Sequence, residues 1–327
     1  MLVSLDIGNG FTKGHARPSG DGREINFPSV GAVEQGAIKF DGLKNSSDLV
    51  IDYNDKRIAL GESAYRLGRM QVVEMGRARI GEPPYMNLYA GALAQLVRNS
   101  GDVTVIASLP VRSYNAAKED ARRALQRQMV IGANGRTNIY NVTAAHIVPE
   151  GFGALCTLVL TTSGKIMNAD LGRSVVGVVD IGTRTTDYLN FDTLEFVPVA
   201  SDGQDNVGLA SVWQMVGELI SAEYQRDLNE VDLDDVIHNH EFDDGPNKVN
   251  VTHFVNTALD SLAETITGKI NTMWDGGRSV GYIAVAGGGA GLVFDRLPFA
   301  NKLLVNDGAM ANVRGAYAFG LLRGFDQ

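Results

Sequence analysis

The sequence predicts an α/β protein built from two similar lobes, and two observations predict it. The pattern D-I-G-x-x-x-T occurs twice, as Asp6-Ile7-Gly8-Asn9-Gly10-Phe11-Thr12 and as Asp180-Ile181-Gly182-Thr183-Arg184-Thr185-Thr186, roughly half a chain apart. Each copy follows a short apolar run, Leu2 to Leu5 and Val175 to Val179, that reads as a buried strand entering a glycine-bearing hairpin. Strand patterns then alternate with helical ones across both halves, which indicates α/β layering.

In chain order, Glu24 to Pro28 and Ala37 to Gly61 read as short strands, with a hairpin from Asp52 to Ile58 turning at Asn54-Asp55. Tyr85 to Asn99 has helical periodicity, and Asp102 to Leu109 is a buried strand stopped by Pro110. A helix from about Asn115 to Met129 carries Ala, Leu and Met on one side and arginines on the other. Asn138 to Val148 is a further strand, followed by Pro149-Glu150-Gly151-Phe152-Gly153 and an apolar helix. The second half restarts with the strand into Asp180, a returning strand from Tyr188 to Phe191, and another around Glu195 to Ala200. Asp202 to Gly208 reads as a turn in which Asn206 caps a helix from Leu209 to about Glu223. A helix from about Thr252 to Trp274 precedes Ile283-Ala284-Val285-Ala286, a buried strand running into the glycines 287, 288 and 289. Pro298 to Val305 supplies a last strand and Met310 to Leu322 a helix of small residues.

The chemistry sits at the tips of these strands. A glycine hairpin lets a ligand approach the backbone, and its N–H groups and hydroxyls suit phosphate oxygens. On that ground Gly8, Asn9, Gly10, Thr12, Gly182, Thr183 and Thr185 are phosphate-gripping candidates, with Lys13 adding a point charge. Asp6 and Asp180 end their strands on a carboxylate suited to a hydrated Mg²⁺. Gly287, Gly288 and Gly289 clear side chains from a surface that a flat base or ribose can approach. No G-x-x-x-x-G-K-[ST] is present, which removes the P-loop class.

The 327 residues, 44% hydrophobic, supply one large or two medium cores. No apolar run approaches the eighteen or so residues of a membrane span, and no signal peptide is recognisable. The lone Cys156 excludes an intrachain disulfide and a cysteine-based zinc cluster, and a cytoplasmic location is expected. The net charge of −9 argues against direct binding to nucleic acid. It is uneven: nine acids lie between Glu223 and Asp244 against Arg226 alone, whereas six bases from Arg112 to Arg136 face Glu119 and Asp120. Solvated surface accounts for both stretches, and head-to-tail complementarity between subunits is the sharper reading.

Taken together and in this order, the motifs resemble the actin-like ATPase superfamily, which also holds heat-shock chaperone ATPases and sugar kinases. Asp6 to Lys13 looks like its first phosphate motif and Asp180 to Asp187 its second. Pro149-Glu150 looks like the first connector, Val285 to Ala290 the adenosine motif, and Asn312-Val313-Arg314-Gly315-Ala316 the second connector. The likeness is closest to plasmid-segregation actins of the ParM/StbA family, through Met1-Leu2-Val3, Ser108-Leu109-Pro110-Val111, Val148-Pro149-Glu150 and Asp205-Asn206-Val207-Gly208. Archaeal actin homologues share the style of Phe27-Pro28-Ser29 and of 182–187. Arg184 departs from the glycine often found in the second hairpin.

The resemblance implies a two-lobed actin-like (ribonuclease H-like) ATPase fold, each lobe a mixed sheet with helices and a smaller inserted subdomain. Lobe I would span 1–168 with a β-rich insertion at about 23–75, and lobe II 169–306 with a helical insertion at about 215–275. Residues 307–327 would form a C-terminal helix returning to lobe I. It implies ATP or GTP with Mg²⁺, and roles for Glu150 and Asp180 in catalysis, Glu150 orienting the attacking water. It further implies a homopolymer filament, plasmid DNA moved through a DNA-binding adaptor, and no membrane partner. A small-molecule kinase of the same superfamily, a cytoskeletal actin without a plasmid cargo, and a nucleotide switch that forms no filament are the alternatives.

Overall fold

The computed structural model describes residues 1–16, 22–35, 48–68, 73–74 and 79–326. The chain divides into two compact units, Met1–Ala169 with Met310–Gln327, and Asp170–Ala309.

The first unit opens with strands β1 (Leu2–Ile7), β2 (Phe11–Ala16), β3 (Arg23–Pro28), β4 (Val30–Val33), β5 (Val50–Tyr53) and β6 (Lys56–Leu60). Helix α1 (Glu62–Gly68), β7 (Val73–Glu74), α2 (Pro83–Leu96), β8 (Gly101–Leu109) and α3 (Val111–Leu125) follow, then β9 (Gln128–Ala133), β10 (Arg136–Pro149) and α4 (Phe152–Val159). The described strands form one sheet in the order β3-β2-β1-β8-β10-β9-β5-β6-β4-β7. Within it β1, β8 and β10 run parallel, and β2 folds back antiparallel on β1. Strand β1 is buried from Leu2 to Asp6, the pattern of a central strand covered on both faces. Helix α2 covers one face with Leu88, Tyr89, Leu93 and Leu96, all fully buried; each contributes about 1.5–3 kcal/mol by leaving water. The part of the expected 37–61 strands at 37–47 lies outside the described residues.

Two sequence expectations need correction here. Helix α3 begins at Val111, directly after Pro110, and ends at Leu125 rather than Met129. Residues 128–133 instead form β9, because Asn134 and Gly135 adopt φ of 51° and 74° and turn the chain into β10. An Asn-Gly pair with both φ positive is the turn that suits a two-residue hairpin. The Asn54-Asp55 turn works the same way, at φ 50° and 58°.

The second unit begins in α5 (Ala169–Gly172) and runs through β11 (Val175–Ile181), β12 (Thr185–Asp192), β13 (Glu195–Phe196), a 3₁₀ turn at Pro198–Ala200, and β14 (Asp202–Asp205). Helices α6 (Leu209–Tyr224) and α7 (Glu230–Asn239), the hairpin β15 (Glu241–Asp244) and β16 (Asn247–Asn250), and α8 (Thr252–Met273) come next. Then follow β17 (Tyr282–Ala286), α9 (Ala290–Val293) and β18 (Lys302–Leu304), and α10 (Gly308–Leu322) closes the chain. The sheet order is β13-β12-β11-β17-β18, with β14 also on β12. Again the antiparallel hairpin β11–β12 adjoins parallel neighbours, β17 and β18. Trp274, 1% exposed, anchors the core, and a Cβ at Gly177 would lie 2.5 Å from its ring, so only glycine leaves room there.

The 195–200 strand shrinks to two residues, and the stretch expected to be a turn from Asp202 supplies β14 instead. Asn206 does not cap α6: it takes φ 60°, and the helix starts after Gly208 with no side-chain cap. No described helix is long and apolar enough to cross a membrane.

Candidate functional site

In the first unit, the β1–β2 turn closes by a 3.0 Å bond from the Gly8 N–H to the Phe11 carbonyl. That bond occupies the Gly8 donor, while the N–H groups of Asn9 and Gly10 make no hydrogen bond among the described residues. Thr12 is fully buried and shares a 3.0 Å hydrogen bond with the Ser29 hydroxyl, so its side chain braces the hairpin from inside. Asp6 lies opposite Lys13 in the ladder. Its carboxylate, 5% exposed, accepts from the Ser108 hydroxyl at 2.8 Å and lies 3.9 Å from the Lys13 ammonium.

Glu150 follows β10 directly and donates its N–H to Leu109 at the end of β8, 2.8 Å away. Asp6, Ser108 and Glu150 therefore lie at the same C-terminal edge of three parallel strands. The motifs do not point to Tyr85, which sits buried in the first turn of α2 behind Pro83-Pro84. Burial first, and then the negative charges of Asp6 and Glu150, push its phenol up, so it stays a neutral O–H beside them. The only sequence signal for it was proline at a helix start. Behind this edge the Asn312 side-chain carbonyl accepts from the Ala154 N–H at 3.1 Å. Helices α4 and α10 cross so closely that a Cβ at Gly153 would lie 1.9 Å from the Asn312 carbonyl oxygen.

The second hairpin repeats the construction. Gly182 donates to the Thr185 carbonyl at 2.9 Å, and buried Thr186 donates its hydroxyl to Val207 at 2.7 Å. Thr183 and Thr185 are half-buried. Helix α6 docks its first turn on this loop, Leu209 donating to Gly182 at 3.1 Å and Ala210 to Thr183 at 2.7 Å. Gly208 permits the approach, since a Cβ there would stand 2.7 Å from the Gly182 oxygen. Arg184 pairs with Glu230 at 3.3 Å. The electrostatics differ from the first hairpin, because Asp180 lies opposite Asp187 rather than a lysine, and both carboxylates are buried.

The three glycines after β17 have separate tasks. Gly287 takes φ 89°, and a Cβ on it would come 2.3 Å from the Ile181 oxygen and 2.5 Å from an Asp180 carboxylate oxygen. Gly289 donates to Ile181 at 3.0 Å and has no room for a Cβ beside the Ile181 side chain. Gly288 faces open space. For a hard divalent cation the donors at hand are carboxylate oxygens. Among the described residues no group of three His, Cys, Asp or Glu forms a closed cage. One or two carboxylates with water is the usual provision for Mg²⁺, so the Asp180–Asp187 pair fits it.

The charged stretches are partly satisfied internally. Arg122 and Arg123 pair with Glu119 and Asp120 on their own helix, and in the acidic stretch Arg226 pairs with Asp244 and Lys248 with Glu241.

Comparison with known proteins meets this geometry at both hairpins. Residues 4–153 match the family described as actin like proteins, N terminal domain, and residues 178–298 match archaeal actin homologue MreB-like, C-terminal. Archaeal actin homologs of Thermoplasma volcanium and Thermoplasma acidophilum are each 30% identical over 205 residues, which is 61% of this chain and 60% of each relative's length. The crystal structure of an archaeal actin homolog superposes with a TM-score of 0.83 at 22% identity over 99% of both chains, and that homolog is also known in complex with ADP. A ParM from a 15-stranded filament of Clostridium botulinum superposes at 0.77, with 20% identity over 98% of both chains. With actin-like domains matched in both halves on the two hairpins that carry its repeated motif, the chain belongs to the actin-like proteins.

Proposed function

We propose that the chain is a nucleotide-dependent, filament-forming ATPase. The observation that carries this is the pair of D-I-G-x-x-x-T hairpins, each with a buried aspartate at the strand tip and turn N–H groups left for an anion. The N–H groups of Asn9, Gly10 and Thr183, the hydroxyls of Thr183 and Thr185, and Lys13 hold phosphate oxygens. Gly8, Gly182 and Thr12 set the hairpin shape that presents them. Gly287 to Gly289 receive the adenosine, with Gly288 as the open surface. Asp180, with Asp187 opposite it, and Asp6 would be the carboxylates to hold a largely hydrated Mg²⁺. When bound, Mg²⁺ neutralises charge on the terminal phosphates. Glu150 orients the water that attacks, and Tyr85 offers a neutral hydroxyl next to it. That a related archaeal homolog is known with ADP supports the nucleotide, and that ParM forms filaments supports self-assembly.

We assign plasmid DNA as the cargo, carried through a separate DNA-binding adaptor, since a net charge of −9 disfavours direct contact with a polyanion. A cytoskeletal filament with no plasmid cargo is the second reading, favoured by the 30% identity to archaeal homologs. Light scattering and phosphate release after adding Mg²⁺ with ATP or GTP test the common core. Nucleotide binding without polymer at any protein concentration would leave a switch module. Phosphate appearing on a sugar or small acid rather than in solution would make the chain a kinase.

A further inference from the structure

The second hairpin carries a charge that its shape does not require. Arg184 is the only Lys or Arg from Asp180 to Gln225, and it stands on the turn between Thr183 and Thr185, before the alternation of β12 begins. In the first hairpin the cation stays beside the strand tip, where the Lys13 ammonium lies 3.9 Å from Asp6. In the second it is turned onto another helix: the Arg184 guanidinium donates to the Glu230 carboxylate, at the start of α7, over 3.3 Å.

Both ends of this pair rest on fixed backbone. Helix α6 staples the turn through the Gly182 and Thr183 carbonyls, and α7 is packed on α6, with Leu233 against Gly217. The two side chains are the freer parts, the arginine 26% exposed and the glutamate 62%. Glu230 is not what holds its helix. The Asn229 side chain accepts from the N–H groups of Val231 and Asp232 at 2.9 and 3.0 Å, and Asp232 keeps an acid in the first turn when Glu230 is neutralised. An ion pair this exposed is worth little, whereas an arginine fork on a phosphate is among the stronger charge-assisted contacts. A polyphosphate lying on the Thr183 and Thr185 hydroxyls would therefore outcompete Glu230 for the guanidinium.

We propose that Glu230 holds Arg184 away from the phosphate site, and that a bound nucleoside polyphosphate takes the guanidinium over, so that the pair opens as the nucleotide binds. This rests on the reading of the hairpin as a phosphate grip and deepens it, because a carboxylate of the chain and the phosphates of the ligand then compete for one cation. The test is a double-mutant cycle of wild type, Arg184→Gln, Glu230→Gln and the double variant. Each is titrated with Mg²⁺ and the fluorescent ATP or GTP analogue that wild type binds more tightly. Arg184→Gln should bind about tenfold more weakly, as loss of a charge-assisted phosphate contact implies. Glu230→Gln should bind about two- to fivefold more tightly, the range set by an exposed ion pair. That gain cannot come from a folding defect. The double variant should match Arg184→Gln, since without the guanidinium Glu230 has nothing to hold back. Wild-type affinity in Arg184→Gln, or no gain in Glu230→Gln, would overturn the proposal. So would a gain that persists in the double variant, which would mean that Glu230 acts on the nucleotide by its own charge. Each of these leaves the nucleotide reading intact, and wild-type protein that binds neither analogue would overturn both.

Discussion

Alanine placed in turn at Gly287, Gly288 and Gly289 should give three different outcomes, although the sequence shows three identical residues. At Gly287 the backbone has φ 89°, where a Cβ costs about 1–2 kcal/mol of local strain. The new Cβ would also stand 2.3 Å from the Ile181 oxygen and 2.5 Å from the Asp180 carboxylate, backbone and charged groups that cannot swing aside as a flexible side chain can. Relieving that overlap means parting the ends of β11 and β17, which costs about 1–3 kcal/mol as overpacking does. It also strains the Gly289 to Ile181 hydrogen bond, worth about 1 kcal/mol. The sum, about 3–6 kcal/mol, is a large part of the ~5–15 kcal/mol that holds a typical domain. At Gly288 nothing lies within 4 Å and φ is not positive, so the fold should change by less than about 0.5 kcal/mol. At Gly289 the obstacle is the Ile181 side chain at 2.6 Å, and an intermediate loss should follow. Urea denaturation orders the three, and a fluorescent ATP analogue reports binding. Gly288→Ala should bind nucleotide several-fold more weakly while unfolding like wild type. Equal stability for Gly287→Ala and Gly288→Ala would refute the steric argument, and unaltered affinity in Gly288→Ala would remove that glycine from the adenosine surface.

Glu150→Ala should slow phosphate release by ~10²-fold or more while nucleotide binding and assembly persist, because only water orientation is lost; parallel assays of phosphate and polymer mass check it. Asp180→Asn should raise the Mg²⁺ concentration needed for half-maximal nucleotide binding, which a Mg²⁺ titration measures directly. The Glu24 carboxyl is held below the usual carboxylate range, chiefly by the two 2.7 Å bonds from the Arg314 guanidinium and then by His15. A depressed carboxyl stabilises the fold above its unfolded value and loses that contribution as pH falls through the folded one. Glu24→Gln should therefore be less stable than wild type near neutrality, with the gap narrowing below about pH 4.5, as thermal melts across that range would show. Plain duplex DNA near 0.15 M salt should not shift on a gel with the purified protein, and a shift abolished by charge reversal at Arg122 and Arg123 would contradict that.

Much of the fold was legible because its punctuation is local. The apolar runs Leu2 to Leu5 and Val175 to Val179 became the central strands β1 and β11, and Pro110 marked the end of β8 as written. The failures have local causes too. No glycine or proline stands between Leu125 and residue 128, so the helical pattern of α3 reads on past its true end, and the signal that separates β9 from it, Asn134-Gly135, lies further along the chain. The run from Glu195 to Ala200 has strand composition, but Pro198 cannot donate in a ladder and the turn follows instead. Contacts between residues far apart in sequence were not legible at all. Nothing in the string joins Ser108 to Asp6, Tyr85 to Glu150, or Arg314 to Glu24 across 290 positions.

The repeated motif also shows where sequence identity misleads. Its shared threonines, Thr12 and Thr186, are buried latches, and its first glycines spend their N–H groups on closing the turn. What the repeat conserves is therefore the shape of a hairpin. The difference lies one residue beyond the pattern, where Lys13 faces Asp6 but Asp187 faces Asp180. In the first hairpin the carboxylate already has an ammonium and a hydroxyl near it. In the second, two buried carboxylates lie opposite each other across the strand pair, so the charge pattern at its tip differs from that of the first. The repeat's twofold look thus conceals a difference in charge between its copies. One copy sets an ammonium and a hydroxyl against its aspartate and the other sets a second carboxylate there, so substitutions of Asp6 and Asp180 should not have interchangeable effects.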